Sequence, residues 1–209
     1  MKKIAILLFG LLLSNFTYAQ FGNLVGAATS AVGGGSGGAG VSAEKIVAGY
    51  VNSSKLVISS QQNLLKAAKV KVDSDLYAAN IKNLTASVTS DQVAESAKIQ
   101  TEGSKQIQQV FSDKSLKLDA AGQKIFISGA AELGKGILSY AKFFLDAKNF
   151  KPSPADLSSA GTALAVVKGV PDDVVALKTS LSAVYDYAKS NNIALPKDVA
   201  DATKSLEGF

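Results

Sequence analysis

From Asp119 to Asn149 the apolar positions follow the period of an α-helix and cover most of its circumference. At 100° per residue, Phe126, Ala130, Leu133, Ile137, Tyr140 and Phe144 fall on one line, spaced by four and three. Gly122, Gly129, Gly136 and Phe143 form a second row at steps of seven. Ile127, Gly134, Leu138 and Leu145 border the first row on its other side. Lys124, Lys135 and Lys142 align on the remaining edge, with Glu132 and Ser139 nearby. A helix apolar over so much of its surface has to be surrounded by others, so this segment is expected at the centre of the fold.

The rest of the chain reads as helices that could wrap it. Ser42 is a good N-cap for a helix running to about Val72. Along it Val47, Val51, Ser54, Ile58, Gln61, Leu65, Ala68 and Val72 alternate by four and three, with Tyr50, Val57 and Leu64 beside them. This is a coiled-coil-like seam in which Ser54 and Gln61 are polar members, read as register-setting or edge positions. Lys69 to Asp73 is a break, and a short helix fits Asp75 to Val88 through Leu76, Tyr77, Ile81 and Leu84. Thr89-Ser90-Asp91-Gln92 has the capping-box pattern and opens a helix to about Phe111. Its inward line is Val93, Ala97, Gln100, Ser104, Ile107 and Phe111, again with two polar members.

Lys151-Pro152-Ser153-Pro154 stops the central helix. Ser153, Pro154 and Asp156 suit the N-cap, N1 and N3 positions of a helix that carries Leu157, Leu164 and Val167 and closes at Gly169. Pro171-Asp172-Asp173 then reads as the start of another, with its acids in the first turn where the helix dipole favours them. Val174, Leu177, Leu181, Val184 and Ala188 make its seam, and Pro196 opens a last short helix with Val199, Ala202 and Leu206. No period-2 alternation persists and no Asn-Gly or Asp-Gly hairpin turn occurs. The expected fold is all-α: an antiparallel bundle of four long helices plus short helices.

The N-terminal stretch lies outside that pattern. Lys2 and Lys3, the apolar run Ile4 to Leu13 and the small residues of Thr17-Tyr18-Ala19 have the form of a signal peptide over residues 1–19. Residues 20–41 are a low-complexity, Gly-rich segment, FGNLVGAATSAV then GGGSGGAG, whose second half reads as a flexible linker. The helical domain is then 42–209. Cleavage would remove Lys2 and Lys3 and take the formal charge from +5 to +3, too small to call for a polyanionic partner.

Cys, His, Trp and Arg are all missing from the chain. Without Cys there is no disulfide, and no residue at the cleavage site to carry a lipid anchor. Without Cys and His the usual zinc and copper ligands are gone, as are the Ser-His-Asp and Cys-His types of nucleophilic catalysis. Without Arg there is no planar fork to read phosphate or guanine, so specific nucleic-acid binding is not expected. Asp73-Ser74-Asp75 is only a fragment of a calcium loop and reads as a helix entry. Lys66, Lys69 and Lys71, and Lys114, Lys117 and Lys124, form two clusters suited to solvent or to an anionic surface.

Two groups of residues remain as candidate sites. The row Gly122, Gly129, Gly136 and Phe143 marks close helix packing, against a facing helix such as Ala155 to Val167, or an interaction surface. Phe126, Tyr140 and Phe144 are the candidates for lining an apolar-ligand space. No catalytic, cofactor or metal residues are expected. The reading is an exported, periplasmic or secreted, non-enzymatic bundle that acts through its surface on an envelope protein or the membrane surface. The alternatives are an apolar-ligand or lipid carrier and a membrane-rearranging or pore-forming helical protein.

Overall fold

The helix expected at the centre is there. A computed structural model describes residues 41–152 and 159–206, and their regular elements are six helices: α1 (Ala43–Ala67), α2 (Ser74–Asn83), α3 (Ser90–Phe111), α4 (Ala120–Lys148), α5 (Ala160–Ser190) and α6 (Lys197–Leu206). Among them the only β-type pairing is an isolated bridge between Val41 and Phe150. The expectations for residues 1–40, including the signal peptide and the Gly-rich segment, lie outside the described residues, as does the cap expected at Ser153 to Asp156.

Asp119 starts α4 by accepting the Gly122 amide at 2.7 Å, and Lys69 reaches the same carboxylate at 2.8 Å. The line Phe126, Ala130, Leu133, Ile137, Tyr140 and Phe144 is buried from end to end, as is the row Gly122, Gly129, Gly136 and Phe143. The third row is only partly covered. Gly134 lies under α6, whereas Ile127 and Leu138 are half-buried and Leu145 is 59% exposed. At ten residues α6 spans about 15 Å, too little to shelter the row along its full length.

α1 and α4 form the most extensive helix pair. A Cβ at Gly129 would stand 3.0 Å from Leu64 Cγ, one at Gly136 3.0 Å from Val57 Cγ2, and one at Gly122 2.8 Å from the Ala67 carbonyl oxygen. The glycine row is therefore the notch into which α1 drops, and Phe143 fills the reciprocal notch at Gly49. Among the described residues Leu64 and Val57 supply the bulk that glycine leaves room for; the start of the segment Ala155 to Val167, suggested as a facing helix, lies outside the described residues.

The contacts also give the helix directions. Partners on α4 fall in number as those on α1 rise, from Ser53–Ser139 to Ser59–Glu132 and Asn63–Glu132. Between α1 and α3 they rise together, from Tyr50–Val93 to Gln61–Ser104. Thr89 and Ser159, at the starts of α3 and α5, line one cleft with Glu44, while Phe111 and Tyr187, near their ends, stack at 5.1 Å. α1, α3 and α5 thus run one way and α4 runs against all three. Of the four long helices, α4 is the one antiparallel to its long neighbours. The segment between α1 and α3, which carries α2, returns the chain to the starting end and makes the parallel pair possible.

Three boundaries differ from expectation. α1 stops at Ala67 because Lys69 takes a left-handed conformation, φ 58°, and Val72 lies past the end. α2 starts one residue early, capped by Asp73 on the Leu76 amide, and stops at Asn83. The larger departure is α5, one helix through Gly169 and Pro171 where two were expected. Its buried residues Ala163, Val166, Val170, Asp173, Leu177, Ser180 and Val184 keep a spacing of three and four across the proline. Burying one unbroken stripe offsets the loss at Pro171 of a helical hydrogen bond, which costs roughly 3 kcal/mol.

Candidate functional site

The polar residues that interrupt the apolar seams converge on one buried layer. α1 contributes Tyr50, Ser54 and Gln61, α3 contributes Ser96, Gln100 and Ser104, α4 contributes Tyr140, and α5 contributes Asp173; every one is buried. Read separately, Ser54 and Gln61 set the register of one helix and Gln100 and Ser104 weaken another. Because α1 and α3 run in parallel, the two pairs come level and bond to each other.

The bonds form a chain across the bundle. Gln61 Nε2 donates to the Gln100 carbonyl at 2.8 Å and to Ser104 Oγ at 3.0 Å. Gln100 Nε2 donates to Ser54 Oγ at 3.2 Å. Ser54 Oγ lies 3.5 Å from the Tyr140 hydroxyl, which donates to Asp173 Oδ2 at 2.7 Å. Tyr50 closes the side of the layer by donating to the Val93 carbonyl at 3.1 Å. The oxygens Gln61 Oε1 and Gln100 Oε1 are buried without a hydrogen-bond partner, as is Asn80 Oδ1 on α2. Such oxygens cost about 1–3 kcal/mol each, so the layer is held in place by its helices and is not a source of stability.

Asp173 is the group with chemical potential here. It is 2% exposed, and burial pushes its carboxyl up to about 7; the Tyr140 hydrogen bond opposes the rise and the neighbouring Asp172 adds to it. Burial, with the Asp173 charge adding, likewise raises Tyr50 to about 12 and puts Tyr140 well above the usual phenol range. The three share a closed interior, and what they can do is hold or release one proton. The local sequence puts Asp173 in the first turn of a helix with Asp172, as a partner of the helix dipole. The signal that finds it is the spacing from Ala163 to Val184, on which position 173 falls inside and position 172 outside.

The residues proposed to line an apolar space are each engaged with other side chains of the bundle. Phe126 packs on Phe111 and Tyr187 with ring centroids 5.2 and 5.4 Å away. Tyr140 meets Tyr50 at 6.4 Å and Phe143 at 5.7 Å edge to face, and the Lys148 ammonium sits 4.8 Å over the Phe144 ring. The glycine row and Phe143 are brought together on the α1 side of α4, away from solvent.

Two surface clefts lie elsewhere. One, of about 320 Å³, runs between α3 and α5 and is lined by Gln108, Ser112, Lys178, Thr179, Ser182 and Asp186, among others. The other, of about 640 Å³, sits where α1, α3 and α5 begin and is lined mainly by hydroxyls, with Glu44 and Asp91. Among the described residues no group of carboxylates is placed to hold a metal ion, and no helix is long and apolar enough to cross a membrane. No family model, curated protein or solved structure matches this chain.

Proposed function

We propose that this chain is an exported, non-enzymatic protein, an all-α bundle of four long helices, which acts through its outer surface on an envelope protein or a membrane surface. Export rests on the signal-peptide form of residues 1–19. The observation that carries the surface reading is the outer face of α5. Val175, Lys178, Ser182 and Tyr185 follow one another at spacings of three and four, and the middle two line the α3–α5 cleft. Val175 is 66% exposed and Tyr185 41% exposed. Exposed apolar side chains one turn to either side of polar cleft residues on the same helix line offer a partner anchors and hydrogen bonds together. The carrier reading is less well supported, because Phe126, Tyr140 and Phe144 already have ring or cation partners.

The test is partition of the mature chain between buffer and isolated cell envelopes. The chain is expected to sediment with them, and the double substitution Val175→Asp/Tyr185→Asp to weaken this by about tenfold or more at unchanged thermal stability. Equal sedimentation of both proteins would rule out this face, and none for either would sink the reading. Stoichiometric co-purifying lipid would favour the carrier.

A further inference from the structure

α5 is the long helix with a proline inside it. Pro171 has no amide hydrogen, so the Val167 carbonyl loses the bond that a helix would bring it. Two residues earlier, among the described residues no atom beyond the helix's own neighbouring backbone lies within 4 Å of a Cβ built on Gly169, and the same is true at Gly161. The part of α5 before the proline has three fully buried side chains, all small, Ala163, Val166 and Val170, with Leu164 and Val167 half-buried against the core. The part after it is held by Leu177, Leu181, Val184 and Tyr187.

Asp173 stands immediately beyond this weak point. Facing it are Tyr140 from α4 and Tyr50 from α1, with Asp172 beside it on α5; α3 presents the neutral Ser96 and Gln100 to the same layer. None of the ion pairs formed among the described residues includes Asp173. An ionised Asp173 would have the Tyr140 hydroxyl to set against the loss of water, and no counter-charge.

The local sequence also specifies another arrangement. Pro171-Asp172-Asp173 has the form of a helix start, with proline at N1 and acids at N2 and N3. Were α5 to divide there, the Asp173 carboxylate would move from a closed interior to a helix N-terminus, where dipole and free amides favour the charged form. The intact helix suits the neutral acid and the divided one suits the anion.

We propose that Ala160–Val170 is a hinged arm that leaves the bundle when Asp173 loses its proton, turning about Gly169 to Pro171. Burial sets the carboxyl near 7, so the arm is seated in mildly acidic solution and released in mildly alkaline solution. Its release uncovers Tyr50 and Tyr140 and the contact surfaces of Val166 and Val170, whichever partner the outer face of α5 serves.

Hydrogen exchange of the full chain at about pH 5.5 and about pH 8.5, corrected for the intrinsic rate, tests the arm. In the wild type, amides of Ala160–Val170 should lose about tenfold or more of their protection at the higher pH while those of Leu177–Tyr187 keep theirs. Asp173→Asn should stay protected at both. A pH-independent arm, an equal loss in Asp173→Asn, or a uniform loss over all helices would overturn the proposal. Should Asp173→Asn fail to fold, Tyr140→Phe decides. It removes a hydroxyl that favours the anion, so the midpoint for release should move to higher pH; an unmoved or lowered midpoint overturns the hinge.

Discussion

The Tyr140 hydroxyl donates to Asp173 Oδ2 at 2.7 Å, joining the central helix to α5 inside the bundle. The bond compensates only part of what burial costs the carboxylate, and the carboxyl rises from 3.8 to about 7. A raised folded-state value means that the folded protein holds the proton more tightly than the unfolded chain. The associated stability is complete below about pH 3.8, where both states are protonated. It falls as the pH rises and is gone above about 7. Its size is on the order of 4 kcal/mol. Urea midpoints should therefore decline from mildly acidic to neutral pH, and Asp173→Asn should flatten the decline. Asp113 and Asp119, both lowered, work in the opposite sense, but only as the pH falls below 3.8. Wild-type midpoints level between about pH 4.5 and about 7.5 would show that the carboxyl is not held neutral.

How much of this was legible depends on whether one helix or several had to be read at once. The burial of α4 follows from its own periodicity, because a segment apolar on nearly all sides has one solution whatever its neighbours. Asp119, Thr89 and Ser42 cap their helices as their residue types and positions imply. The cover over Leu145 and the partner of the glycine row are not legible in α4 itself, because each depends on where another helix ends or crosses. Pro171 was misread for a related reason: its local chemistry favours a break, and the long buried stripe from Ala163 to Val184 overrides it. The polar layer was out of reach for the same cause. Ser54, Gln61, Gln100 and Ser104 each look like a local defect until the parallel register of α1 and α3 sets them level.

Gly129→Leu should destabilise strongly. A single Cβ there already lies 3.0 Å from Leu64 Cγ and 3.2 Å from the Leu64 amide nitrogen, so the larger side chain must push α1 and α4 apart. Overpacking of this kind costs about 1–3 kcal/mol. Thermal melts would check it, and an unchanged midpoint would mean that α1 does not seat in the glycine notch.

Thr89→Ala removes one half of a closed capping box. The Gln92 amide donates to Thr89 Oγ1 at 3.3 Å while the Thr89 amide donates to Gln92 Oε1 at 2.9 Å. The loss should be about 1 kcal/mol, with Thr89→Ser keeping most of it. Urea denaturation of the two variants provides the comparison, and equal losses would show that the hydroxyl bond contributes nothing.

Gly134 and Gly169 should respond oppositely to the same substitution. Both are helix-interior glycines, where alanine is favoured by about 1 kcal/mol when nothing else changes. At Gly169 nothing else changes, since among the described residues no atom beyond the helix's own neighbouring backbone lies within 4 Å of the added carbon. Gly169→Ala should therefore stabilise by roughly 0.5–1 kcal/mol. At Gly134 the added carbon would lie 2.7 Å from the Asp198 carbonyl carbon and oxygen and 2.9 Å from the Val199 amide nitrogen. These are backbone atoms that no rotamer change can withdraw. Gly134→Ala has to lift α6 from α4 and loosen Val199, Ala202 and Leu206, its buried residues. The steric cost, about 1–3 kcal/mol, exceeds the helical gain, so the net effect should be a loss. Paired thermal melts decide it, and hydrogen exchange should place the loss at Gly134→Ala in Lys197–Leu206. Two stabilised variants would mean that α6 does not rest on Gly134, and two destabilised ones that the first half of α5 is more tightly packed than its open glycines indicate.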